Sequence, residues 1–471
     1  MLFLFAFILV FCLLFLMISL IKNSDLKKIN ESFQSTCTSI RISSQLVIAS
    51  GVSIVALMVM ILSKSSWREE PKLFGICAMT MGVMYLWIVY RVKGGGIGRN
   101  IFYFLLTLGI VQLIVAVGLR SSDDINRYIL EGQQVINNQN PYEIPPNALG
   151  NQCLVENGIL DGINHPDMTA IYPPISLYIH GLMAFISPSV YGFKILTALG
   201  GCLLIFSCLL LLLLLKKNPV LIFIVLWNPV LIIYGIGEAH NDIWVAILVT
   251  LFVFFSIKKR VLTSWFAFSL AFMCKPFAGI LILFQLYKKT KGWWVFPLVI
   301  FFSILPFAQA GYGLVRSLFT FGHDMHFHGV LEPLVRVICL TILPLEFVSF
   351  SVRVTLFVIL IFGIMVLFRH SSKENYIDVS MNAIALLLLC LPTLHPWYLM
   401  ILLPYLPLAR GWCLIVWTSM AGVYWLHGLK MNAIGEWAED PVVTLLAHTP
   451  ALLIFLYEAR LILPQKDGLE V

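Results

Sequence analysis

The chain has 471 residues, of which 60% are hydrophobic and 12% charged, with a mean hydropathy of +0.92. A soluble globule needs far more charge to cover its surface, so this composition excludes an ordinary water-soluble domain. The formal net charge of +7 is held in short basic clusters between apolar runs, which is a topology signal and not a nucleic-acid footprint.

Apolar runs of about 17 residues or more are long enough to span a bilayer core. The first four fall at 2–21, 43–63, 73–90 and 100–119. No cleavage pattern follows the first, which is therefore expected to stay as an anchor. Residues 121–193 are mixed and rich in Asn and Pro, with breaks at PYEIPP (141–146) and IYPP (171–174). Within them ISLYIHGLMAFI (175–186) is too short to span and is expected to lie flat as an interfacial helix. Full-length runs resume at 195–215, 219–236, 292–308, 351–368, 377–394, 411–427 and 441–463. Shorter ones lie at 243–257, 261–274, 277–287 and 397–409, giving roughly 12 to 15 spans.

Lys and Arg set the orientation. Placing Lys22/Lys27/Lys28/Arg41, Arg91/Lys93/Arg99, Lys216/Lys217, Lys258/Lys259/Arg260, Lys288/Lys289/Lys291 and Arg369/Lys373 in the cytoplasm lets the spans alternate throughout. Loops 121–193 and 309–333 then lie outside, and of the histidines only His370 lies inside. The ten cysteines sit mostly within apolar runs, and Cys153 is alone in the large outer loop, so no disulfide framework is implied.

Polar chemistry concentrates at the outer helix ends. Asp124 opens the 121–193 loop four residues beyond Arg120, at the boundary, where a carboxylate can meet a lipid-borne substrate without crossing the bilayer core. Its alternative reading is a solvated helix cap beside Asp123. Arg127 follows three residues later, on the same helical face, where a cation could stabilise a departing phosphate. His240-Asn241-Asp242 opens an apolar run and reads either as a helix cap or as a ligand of sugar or phosphate, with Glu238 a further acid in that turn. Lys275 interrupts the stretch 261–287 and is either a snorkelling lysine or a cation for a lipid phosphate. His395-Pro-Trp397-Tyr398 has the same two kinds of reading, its aromatics being candidates for the interface. The loop Gly322-His-Asp-Met-His-Phe-His328 reads as a metal site, a substrate contact or a plain polar loop, and one short loop rarely supplies all three or four converging ligands a metal needs. No DxD motif occurs, so neither a metal nor another cofactor is expected.

Taken in order, Asp124-x-x-Arg127-Tyr128, Gly132, Asn140-Pro-Tyr142 and Ile171-Tyr172-Pro-Pro174 resemble the first outer loop of GT-C superfamily glycosyltransferases. Trp227-Asn-Pro229, His240-Asn-Asp242, Lys275-Pro276 and Leu394-His-Pro-Trp-Tyr398 continue the match. The set is most similar to bacterial polyprenyl-phosphate-mannose-dependent mannosyltransferases, with the eukaryotic first mannosyltransferase of GPI-anchor synthesis a more distant relative. The resemblance implies an all-α polytopic membrane fold and an inverting transfer of a hexose, mannose by family, from a polyprenyl-phosphate donor to a glycan, lipid or protein acceptor. Asp124 takes the place of the family's proposed catalytic base. Arg127, Tyr128, Tyr172, His240, Asn241, Asp242, Lys275, His395 and Tyr398 fall at substrate-contacting positions. On this reading 1–99 is an anchoring or packing segment, 100–430 the catalytic module and 431–471 a helix with a cytoplasmic tail. The expected location is a bacterial inner membrane with the site facing the periplasm, in preference to an ER membrane. The alternatives are a lipid-linked-oligosaccharide flippase, which would line its path at several depths, and a glycan ligase or polymerase.

Overall fold

The computed structural model describes residues 44–94, 97–150, 155, 157–287, 290–369 and 376–462. The expected anchor at 2–21, the basic cluster Lys22 to Arg41, His370 and the tail after Ile462 lie outside the described residues. Among the described residues no strand occurs, only isolated bridges from Phe327 and His328 to Thr393. Helices dominate because a bilayer core offers no partner for an unpaired N–H or C=O, and a helix satisfies both within itself.

In chain order the main helices are α1 (Ser44–Leu62), α2 (Pro71–Lys93), α3 (Arg99–Ala116), α4 (Asp124–Ile136), α5 (Pro174–Ile186) and α6 (Val190–Leu214). A broken segment follows, Pro219–Leu226 then Val230–Gly237, before α7 (Asp242–Ile257), α8 (Val261–Cys274), α9 (Val295–Ile304) and α10 (Gly313–Asp324). The chain closes with α11 (Glu332–Ile342), α12 (Leu345–Arg369), α13 (Tyr376–Leu389), α14 (Cys413–Ser419), α15 (His427–Ile434) and α16 (Pro441–Ile462). Among the described residues six helices, α1, α2, α3, α6, α12 and α16, are long and apolar enough to cross a membrane, and two bent pairs raise this to eight. The chain is thus an all-α polytopic integral membrane protein with fewer full-length helices than hydropathy alone counts. The runs at 277–287, 397–409 and 411–427 fold instead as short α and 3-10 turns.

Trp227-Asn228-Pro229 shows why one apolar run breaks. Pro229 cannot donate to the turn before it, and the two halves meet at 55°. Asn228 fills the gap: its Oδ1 accepts from the Val230 backbone N–H at 2.9 Å, and its Nδ2 donates to Tyr85 Oη and Thr418 Oγ1, both at 3.0 Å. The Asn228 side chain thereby satisfies its own polar atoms and one backbone N–H of the break inside the body.

Gly132 marks the crossing of α4 and α5. A Cβ there would run into the backbone carbonyl of His180, so only glycine lets the helices approach this closely. α5 buries ten of its thirteen residues, leaving Phe185 and Ile186 exposed at its end. It is as short as expected, but it is packed inside the body and does not rest on its surface, because α4 covers one side and α8 another. The expected 309–333 loop is also largely helix, since Leu314, Leu318, Phe321 and Met325 recur at helical spacing along α10.

One hydrophobic core runs from Leu46 on α1 to Ala451 on α16. Packing is therefore continuous across residues 99 and 431, and the first and last helices are part of the body that holds the site.

Candidate active site

A cavity of about 990 Å³ opens among the helix ends. Its wall is built from the start of α4, the segment 161–173, the turn 391–398, α10 and the loop between α1 and α2. Six of the residues singled out in the sequence line it: Asp124, Arg127, Tyr172, Lys275, His395 and Tyr398.

Asp124 begins α4, where the free N–H groups of a first turn favour a carboxylate. Its side chain is 21% exposed and is held from three directions. Asn164 Nδ2 donates to Oδ1 in a short hydrogen bond, Tyr128 Oη donates to Oδ2 at 3.4 Å, and His240 Nδ1 lies 3.3 Å from Oδ2, off the hydrogen-bond line. Burial works against its charge, but the neighbouring His240 and the Asn164 bond outweigh it and hold the carboxyl well below the usual range. Asp123 turns the other way and pairs with Arg68 at 3.0 Å.

His240 is wholly buried behind Asp124. Its second nitrogen, Nε2, lies 3.2 Å from Glu238 Oε2, and its ring stacks on Trp397 with centroids 3.8 Å apart and planes 11° from parallel. Burial opposes protonation, yet the two carboxylates overcome it and raise His240 to about 9. The far face of Trp397 stacks on His395 at 4.4 Å, and His395 Nδ1 meets Tyr424 Oη at 2.9 Å. Burial, only partly offset by Asp124, drops His395 to about 3. Two histidines on one indole are thus shifted in opposite directions, His240 toward the protonated form beside the acids and His395 toward the neutral one.

Arg127 is placed differently from the phosphate-binding position expected of it. Its Nε donates to Glu131 at 3.1 Å, and its terminal nitrogens bond the carbonyls of Asn164, His165, Met168 and Thr169. All five N–H donors of the guanidinium are spent, so Arg127 fixes the segment that presents Asn164 to Asp124. Tyr128 and Tyr172 share a hydroxyl contact of 3.1 Å beside Asp124, and Tyr142 Oη donates to the Tyr172 carbonyl at 2.6 Å. The Asn-Pro-Tyr and Ile-Tyr-Pro-Pro motifs are thereby tied together.

Lys275 reaches the cavity at the end of α8, its Nζ 2.6 Å from Asp242 Oδ1 and 3.9 Å over the Tyr398 ring. Asp242 is buried behind it and touches the cavity only through this lysine. Asn241 points away, donating to Ser176 Oγ at 2.7 Å between α5 and α8. In the expected histidine loop, His328 turns inward to His427, ring nitrogens 2.8 Å apart, while His448 Nε2 lies 3.1 Å from the His328 carbonyl. Those three rings link α15 and α16 to the cavity-side turn, and the described residues form no cluster of three metal-ligating groups.

Sequence reasoning passed over Asn164, Tyr424 and Arg68. Nothing local marks a lone loop asparagine, and the other two reach the cavity through chain segments hundreds of residues apart. Glu238 and Trp397 were visible beside their motifs, but their pairing through His240 is a product of the fold.

The fold is thus an all-α membrane body with a carboxylate held in a cavity at its helix ends. Residues 33–291, more than half of the chain, match the family described as alpha-(1->6)-mannopyranosyltransferase, N-terminal domain. The chain belongs to that family and is a mannosyltransferase of the GT-C kind. Comparison with curated proteins gives no match, and neither does comparison with solved structures.

Proposed function

We propose that the protein transfers a mannosyl unit from a polyprenyl-phosphate donor to an acceptor hydroxyl, with inversion, at the extracytoplasmic face. The observation that supports it best is the Asp124 carboxylate, open to the cavity and held ionised by His240, Asn164 and Tyr128. The acceptor oxygen attacks the anomeric carbon as the bond to the phosphate oxygen breaks. The hydroxyl proton passes to Asp124, and the polyprenyl phosphate leaves with the electron pair of the broken bond. Transfer through an oxocarbenium-like state makes that hydroxyl acidic only as the new bond forms, so a carboxylate of low basicity suffices. Lys275, which opens on the cavity, supplies positive charge for the departing phosphate. A lipid donor fits a cavity set among apolar helices, where the prenyl chain stays in the bilayer.

The test is a proteoliposome assay with polyprenyl-phosphate-mannose and a manno-oligosaccharide acceptor. Transfer by the wild type, and about 10²–10⁴-fold slower transfer by Asp124→Asn, is expected. Lipid translocation without transfer would instead favour the flippase, and transfer unaffected by Asp124→Asn would remove this acid as the base.

A further inference from the structure

The cavity has a second aromatic feature at its rim, which approaches the reaction centre where Arg68 pairs with Asp123, the residue before Asp124. The α1–α2 loop contributes Trp67 and Arg68, and the turn between α15 and α16 contributes Trp437, so the rim joins segments from both ends of the chain. The Arg68 guanidinium carbon sits 5.4 Å from the Trp67 ring and 5.3 Å from the Trp437 ring, and the two indoles meet nearly edge-on at 6.2 Å. Asn432 Nδ2 donates to the Arg68 carbonyl at 2.6 Å, fastening the loop to α15. Trp437 is nonetheless 46% exposed. A membrane-belt tryptophan turns its ring to lipid, whereas this indole lines the cavity.

The wall between rim and reaction centre is also aromatic. Trp67 contacts Tyr424 at 6.1 Å, Tyr424 contacts Trp397 at 6.0 Å, and Trp397 stacks on His240 beside Asp124. Charge at the rim is balanced: Arg68 pairs with Asp123 at 3.0 Å and Arg120 with Glu69 at 3.2 Å. Two arginines each committed to a carboxylate are poor receptors for phosphate or an acidic ligand. Indole faces flanked by paired polar groups suit instead a ligand with apolar C–H faces and neutral hydroxyls, which describes a pyranose ring.

We infer that Trp67, Arg68 and Trp437 form a subsite for a neutral glycan, gripping an acceptor sugar other than the one that reacts at Asp124. The direction of the chain, reacting end inward, rests on the transferase reading above; the binding itself does not. The subsite favours acceptors that carry a further sugar beyond the one that reacts.

The experiment uses the full-length protein in nanodiscs with α-linked manno-oligosaccharides of graded length as probes, read by direct titration and by turnover. Trp437→Ala is expected to weaken binding of the longer probes and raise their KM about tenfold, the scale of one lost aromatic stacking contact, with the effect on acceptor KM and not on donor KM. Trp437→Phe should recover part of the loss. Unaltered affinity for long probes in Trp437→Ala overturns the proposal, as does a rise confined to donor KM. Asp124→Asn should bind the long probes as the wild type does. Length-dependent, Trp437-dependent binding by a protein that transfers nothing would uphold the subsite while removing the transferase reading.

Discussion

His240 stands between two carboxylates, its Nδ1 3.3 Å from Asp124 and its Nε2 3.2 Å from Glu238. The imidazolium and Asp124 each hold the other charged in a site where neither would ionise as readily alone. Trp397 stacks on the ring and keeps its plane fixed beside both carboxylates.

Asp124→Asn keeps the shape of the side chain and removes its ability to take a proton. Turnover should fall about 10²–10⁴-fold, the usual cost of losing a general base. The unfolding temperature should drop as well because buried His240 loses one of its two carboxylate partners, so turnover is compared at a temperature where the variant is folded. Asp123→Asn should be milder, since Asp123 faces Arg68 and not the reaction centre. Parallel turnover measurements on the two variants decide it: the larger loss in Asp123→Asn would move the base one residue back.

The raised His240 also predicts a pH dependence of stability. Its folded value is about 9 against an ordinary 6.5, so the folded state binds the extra proton between those values. The stabilisation is complete below about pH 6.5 and is lost as the pH climbs through 9. Unfolding temperature should therefore decline across that window in detergent or nanodiscs. His240→Gln should lower the starting value and flatten the decline; an equally steep decline in that variant would assign it elsewhere.

Arg127 carries a prediction about structure. Replacing it with Met leaves Glu131 buried without its cation and frees four carbonyls of the 164–169 segment. Breaking a buried pair in this way costs about 3–5 kcal/mol, and the Arg127→Met protein should unfold markedly earlier. Arg127→Lys should recover little, because an ammonium cannot cover five acceptors set in a fork. If instead Arg127→Lys restores stability and leaves only donor KM raised, the guanidinium reaches the phosphate after all.

Much of the outline was legible in the sequence because it rests on local signals. Apolar runs bounded by basic clusters marked α1, α2, α3, α6, α12 and α16, and Asp124, Lys275 and His395 announced themselves as polar groups beside apolar runs. Legibility failed where chemistry depends on distant partners. Nothing near Arg127 shows that it will bind the carbonyls of 164–169, and nothing near Trp67 shows that Trp437 will meet it. Helix length failed too: a hydropathy count cannot see that 396–402 and 420–426 wind as 3-10 turns against their neighbours.

Lys275 and Asp242 provide the sharpest separation of stability from chemistry. Both side chains are more than nine-tenths buried and meet at 2.6 Å, while the lysine also opens on the cavity. Lys275→Met alone strands a buried carboxylate, so a loss of activity would be confounded by a loss of folding. Adding Asp242→Asn removes the stranded charge and should recover most of the thermal stability. If Lys275 binds the donor phosphate, the stable double variant still shows a donor KM raised about tenfold or more, with acceptor KM near that of the wild type. Full recovery of donor KM in the double variant would reduce Lys275 to the structural partner of Asp242.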